Sequence, residues 1–183
     1  FGNRPLESMR DIAVPTDSSS SRLLLDWILN QKGHDPRRVE MAPDLNQMLS
    51  ECDGALIIGD RALLEAKNNP NQVVMDLATE WTDLTGFPMV FGVFAARNDT
   101  DISHLKLAQN DMLTQLDRFD TDIVWRASVI ENASRVTGIS ETRLDNYYST
   151  EVWNRLDSEA EAGLNFFLNN VCKVESAEWV KLD

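Results

Sequence analysis

Residues 11–59 alternate between short apolar stretches and amphipathic ones, and that alternation limits the folds open to this chain more than any other feature. "DIAVP" (11–15) is a short apolar strand ending at Pro15. "SSRLLLDWILNQKG" (20–33) places Leu24, Ile28 and their neighbours at helical spacing and stops at Gly33. "RRVEMA" (37–42) alternates like a strand, and "PDLNQMLSEC" (43–52) opens with Pro and Asp and collects Leu45, Met48 and Leu49 on one face. "GALIIG" (54–59) is a continuous apolar run between Asp-Gly and Gly-Asp, the pattern of a strand covered on both sides. Strand, helix, strand, helix, strand implies a parallel α/β sheet.

Beyond residue 60 the same reading predicts a short helix or turn over 61–69, a strand over "QVVMDL" (72–77) and a short helix over 78–86 closed by Gly86. An aromatic-rich strand, "FPMVFGVFAAR" (87–97), follows. After Arg97 no strong strand pattern remains. Four stretches between residues 101 and 174 read as helices, with Ser, Thr or Asp at their starts as caps. The expected organisation is an α/β lobe over 1–97 and a helical tail over 98–183. The aromatic side chains of that tail need a surface to pack on. Either the tail bundles on itself, or it packs on another lobe whose strands lie upstream of Phe1.

Charge and composition narrow the function. The net charge of -13 repels nucleic acid and acidic membranes, so neither is expected as a partner. A site for an anionic ligand would have to be local, built from oriented amides and hydroxyls. No apolar run approaches the ~20 residues of a membrane helix. "FGNRPLESMR" lacks the apolar core and cleavage site of a signal peptide, although the absence of an initiator Met leads us to expect upstream sequence. A cytoplasmic protein is expected, with Cys52 and Cys172 as free thiols.

Few residues carry recognisable chemistry. His34 and His104 are isolated and no His or Cys lies at ligand spacing, so no metal and no cofactor are expected. Cys52 is flanked by Glu51 and Asp53, which raise a thiol pKa. No nucleophile elbow, phosphate loop or dinucleotide fingerprint is present. The strongest candidate is "TDSSSS" (16–21), where strand hands over to helix. The first amides of a helix have no internal partner and the positive dipole end lies there, so hydroxyls at that turn complete a pocket for a carboxylate or phosphate. The plainer alternative is that Asp17 or Ser18 is an N-cap and the remaining serines are solvated. Gly59 and Asp60, at the end of the "GALIIG" strand, would face the same sheet edge or serve as strand terminator and cap. Trp81 and Phe87 line a pocket or belong to the core, the latter being commoner for aromatics beside apolar strands.

Together these stretches resemble a known family. "IAVPTDSSSSRLLLDWIL", "APDLNQMLSECDGALIIGDRALL", "MDLATEWTDLTGFPMVFGVFAAR" and "LDNYYSTEVWNRLDSEAEAGLNFFL" are similar to corresponding blocks of the MqnA/MqnD family, of the chorismate dehydratase (MqnA) type in the futalosine route to menaquinone. The resemblance covers nearly the whole chain. It implies the fold of type II periplasmic binding proteins, with the strand over 87–97 as a hinge crossing. Two departures stand out: family members carry a further stretch ahead of the point where this chain begins, and Phe94 stands where many have Trp. Some members also carry Arg where this chain has Ser19. The resemblance implies that Thr16, Ser18, Ser20 and Ser21 help bind a substrate carboxylate, and that Gly59 and Asp60 line the cleft.

The implied activity is that of a lyase that removes water from chorismate, a small dicarboxylate, to give 3-[(1-carboxyvinyl)oxy]benzoate. Aromatisation supplies driving force, so positioning and exclusion of water matter more than a strong nucleophile. The resemblance leaves the base unassigned: it lies upstream, or it is a carboxylate of the substrate. Competing readings are a carboxylate-binding or sensing module of the same fold, and the later-acting sister enzyme of the pathway. A homodimer is left open.

Overall fold

The computed structural model describes residues 1–174, 179–180 and 182. The chain divides into two units, one joining Phe1–Val90 to a segment that begins at Asp157, the other holding Phe91–Leu156.

The first unit is mixed α/β. Strands β1 (Asp11–Pro15), β2 (Arg37–Met41) and β3 (Gly54–Ala55) form a parallel sheet in the order β2-β1-β3. Asp11 pairs with Arg37 and Pro15 with Met41 on one side of β1, and Ile12 pairs with Gly54 on the other. Helix α1 (Ser19–Gln31) joins β1 to β2, and α2 (Leu45–Glu51) joins β2 to β3. The pleat divides their contacts. Ile12 and Val14 pack with Leu25 and Leu29 of α1 and with Leu56, whereas Ala13 packs with Leu45 and Met48 of α2 and with Ala55 and Ile57. The two helices therefore cover opposite faces, as right-handed crossovers to opposite sides of a central strand require.

The nearly all-apolar run of α1 follows from its position between two layers. Its Leu25 and Leu29 face the sheet, while Leu24 and Ile28 pack with Trp81 of α4 (Leu77–Thr85) and with Phe167 of α8 (Ser158–Asn170). Each such leucine or isoleucine contributes about 1.5–3 kcal/mol when fully buried. Trp27, Trp81, Phe166 and Phe167 form an aromatic cluster with ring centroids 5.2–6.2 Å apart. Trp81 is fully buried, so it belongs to the core and lines no pocket.

The structure corrects two predicted strands. Over 72–77, Pro70 opens a 3-10 turn through Gln72, residues 73–76 take no regular form, and Asp76 instead caps α4 by accepting the Thr79 N–H at 2.8 Å. Over 87–97 the backbone joins no sheet, and Phe91 and Phe94 are 61% and 89% exposed. Apolar side chains favour a strand only where another strand completes its hydrogen bonds. The predicted strand over 54–59 is also shorter: β3 ends at Ala55, Leu56 and Ile57 stay buried outside it, and Gly59 already opens α3 (Gly59–Asn68).

The regular elements of the second unit, among the described residues, are helical. Helices α5 (Ile102–Thr121) and α6 (Ile123–Thr137) meet at Asp122, whose carboxylate caps α6 by accepting the Trp125 N–H at 3.0 Å. Arg118 lies 4.0 Å from the centre of the Trp125 ring and Arg126 4.5 Å from that of Phe119, so each helix places a cation on the other's aromatic. Arg126 also donates to Asp145 and to Ser149 Oγ, tying α6 to α7 (Glu141–Asn146) and the π-helical turn Tyr147–Glu151. Among the described residues, no helix is long and apolar enough to cross a membrane.

Candidate functional site at the sheet edge

The strand order creates a switch point at the ends of the strands. From β1 the chain moves outward to β2, then returns to β3 on the other side of β1. The turns after β1 and β3 therefore diverge from neighbouring strand ends, the switch point at which open α/β sheets bind ligands. The turn after β1 holds Thr16–Ser18 and starts α1; the turn after β3 leads to Gly59, Asp60 and α3.

In the first turn, Ser18 is the N-cap of α1, with Oγ accepting the Ser21 N–H at 3.3 Å. The Ser18 hydroxyl donates to Ser21 Oγ at 2.9 Å. Ser21 is buried beneath the turn, Ser18 is half-buried, and Thr16, Ser19 and Ser20 are exposed. One of the orphan amides of α1 is thus satisfied by the cap, while those of Ser19 and Ser20 have no acceptor within the helix. The serine run serves both as a cap and as an exposed set of donors.

In the second turn, Gly59 is exposed at φ 64°, a left-handed conformation that glycine adopts at little cost, and a Cβ there would meet nothing within 4 Å. Its backbone therefore has an open flank. Asp60 is exposed in the first turn of α3, and no side chain caps that helix.

The pattern of the sequence did not reveal the contact between the turns. Arg61 Nη1 donates to Asp17 Oδ2 at 2.9 Å across a separation of 44 residues. The pairing depends on strand order, which places residues 17 and 61 together only after β3 has returned beside β1. Arg22, the nearest cation along α1, is engaged by Glu40 at 2.6 Å.

The opposite edge of the sheet is built differently. Asp53 is buried and accepts from the Arg10 backbone N–H at 2.9 Å and from Arg10 Nε at 3.1 Å, with Arg4 at 3.1 Å. The Arg10 side-chain hydrogen bond, reinforced by its backbone N–H, holds the carboxyl below its ordinary range. These contacts anchor the segment ahead of β1. Cys52 is a buried free thiol, pushed up chiefly by burial and then by Asp11. Among the described residues, no group of three or more His, Cys, Asp or Glu is placed to hold a metal ion.

Comparison with known proteins places this architecture in context. A family model described as menaquinone biosynthesis matches residues 1–172. The chain is also 28% identical over 190 aligned positions to a chorismate dehydratase from Thermus thermophilus, in an alignment covering 91% of this chain. It spans 65% of that relative's length. With a match that runs through the sheet, both strand-to-helix turns and α8, the chain belongs to the menaquinone biosynthesis family.

Proposed function

We propose that the chain is part of a chorismate dehydratase, a hydro-lyase that converts chorismate to 3-[(1-carboxyvinyl)oxy]benzoate and water in the futalosine route to menaquinone, in the cytoplasm. The observation that carries this reading is the convergence of the α1 and α3 starts at one switch point, in a chain similar to a protein of that name. A two-lobed fold of the type II periplasmic-binding-protein kind goes with it.

In this reading a chorismate carboxylate docks on the amides of Ser19 and Ser20, flanked by the hydroxyls of Thr16 and Ser20, while Ser18, whose one hydroxyl proton goes to Ser21, serves the site by capping the turn. Ser21 acts from beneath, because its Oγ receives the Ser18 hydroxyl proton and fixes that rotor. The open flank of Gly59 admits the ring, and Asp60 bounds the cleft on the α3 side. The reaction breaks a ring C–H and a C–OH bond, expels water and leaves an aromatic ring. The electron pair of the C–H bond becomes part of the ring π system as hydroxide departs and takes up a proton. Positioning supplies most of the needed catalysis, since aromatisation favours the forward direction. The proton acceptor in this reading is a carboxylate of the substrate itself, motivated by the absence of a placed histidine at the switch point.

The test is to incubate the complete protein with chorismate and follow products by chromatography, ultraviolet absorbance and mass. Loss of one water with the absorbance of a substituted benzoate is expected. Chorismate bound but unchanged would favour a binding module instead, and no interaction at all would refute the reading. An ester of the distal carboxylate dehydrated at the normal rate would remove the substrate-assisted step.

A further inference from the structure

The Asp17–Arg61 pair has no evident structural purpose. Arg61 lies in the first turn of α3, where the positive end of the helix dipole disfavours a cation. The two side chains are 47% and 55% exposed, and an ion pair so placed contributes little to stability. Its location is more telling. Asp17 directly precedes the N-cap of α1, two residues ahead of the first of the amides assigned to the ligand. Asp60 adds a second negative charge on the facing turn, within a chain of net charge -13. Left alone, Asp17 would repel an anion from the donors that should receive it.

We infer that Arg61 is a positioning residue that cancels the charge of Asp17, and so makes the α1 turn receptive to a carboxylate without itself touching the ligand. The inference rests on the reading of the switch point as a carboxylate site. It accounts for a cation placed against the α3 dipole and aimed at the one acidic side chain in the serine turn. It also makes the anion selectivity of the switch point depend on two residues contributed by different strand ends.

The test compares Arg61→Gln, Arg61→Lys, Asp17→Asn and the double variant Asp17→Asn with Arg61→Gln, in the complete protein. Arg61→Gln is expected to raise KM for chorismate about fivefold at low salt with kcat unchanged, the effect of one unscreened charge a few ångströms away in water. Arg61→Lys should stay near wild type. The double variant should return KM to the wild-type value, because the repulsive charge has gone too. An unchanged KM in Arg61→Gln, a loss confined to kcat, or failure of Asp17→Asn to rescue would each overturn the inference; the last would mean that the guanidinium itself holds the ligand.

A parallel titration with inorganic sulfate, read from the Ser19 and Ser20 amide resonances, separates this inference from the function. The same order of affinities is expected: wild type and double variant alike, Arg61→Gln weaker. If that order holds while chorismate neither binds nor reacts, the dehydratase reading fails and the role of Arg61 stands. If sulfate leaves both amides unmoved in the wild type, the role of Arg61 fails.

Discussion

Replacing Gly163 by alanine sets helix propensity against packing. Gly163 sits within α8, where alanine is favoured over glycine by about 1 kcal/mol. Packing opposes it, because a Cβ at this position would lie 2.6 Å from the Pro88 carbonyl oxygen and 3.0 Å from Phe87 Cβ. Real Cβ atoms essentially never approach closer than 3.0 Å, so α8 or the 87–88 backbone must move by at least 0.4 Å (3.0 less 2.6). The obstacle is backbone and cannot rotate away. Any shift of α8 carries Phe166 and Phe167 with it, loosening their contacts with Trp81 at 5.7 and 5.8 Å. Overpacking of this kind costs about 1–3 kcal/mol, so after the propensity gain of about 1 kcal/mol the net loss should lie between about 0 and 2 kcal/mol. Urea denaturation followed by tryptophan fluorescence measures it, with a lower midpoint and unchanged m-value expected. A Gly163→Ala protein more stable than wild type by the full propensity gain of about 1 kcal/mol would refute the close approach of α8 to residues 87–88.

Three further outcomes follow from other parts of the first unit. Ser18→Ala removes the α1 cap and should cost about 1 kcal/mol in the same denaturation assay, whereas Ser20→Ala should cost almost nothing; equal losses would contradict the capping geometry. Trp81 is fully buried and its Nε1 has no acceptor among the described residues, so Trp81→Phe removes an unsatisfied donor while keeping most of the ring. It should destabilise far less than Trp81→Ala, for which about 3–5 kcal/mol is expected, and comparable losses from both would refute an orphaned N–H. Because Arg10 lowers the Asp53 carboxyl in the folded chain, the stability it contributes is present above an aspartate's ordinary 3.8 and is lost as pH falls through the lowered value. Asp53→Asn should flatten that part of the acid-stability curve, and an unaltered acid limb would show that the carboxyl is not lowered.

Local patterns carried much of this fold in the sequence. Strands β1 and β2 fall within or on their predicted ranges, and Ser18, one of the two residues offered as N-cap of the first helix, caps it. Gly86 ends α4 as expected. What sequence pattern overstated was strand content. "QVVMDL" and "FPMVFGVFAAR" have β-favouring composition, yet Val73 and Val74 are partly exposed and Phe94 almost wholly so, because strand formation depends on a partner that local pattern does not encode. The same limit explains the site. The serine turn and Gly59–Asp60 were assigned to the same sheet edge from sequence, since each is a strand-to-helix junction. The Asp17–Arg61 pair between them depends on the β2-β1-β3 order, which local pattern does not encode.

The most direct measurement is a titration of chorismate into nitrogen-15-labelled protein, with backbone amide shifts assigned through residues 14–62. The largest changes should gather at Thr16–Ser20 and at Gly59–Asp60, after the ends of β1 and β3, while Asp53 and Arg10 at the opposite edge stay fixed. Changes centred elsewhere, or none at saturating chorismate, would contradict the assignment of the switch point as the substrate site.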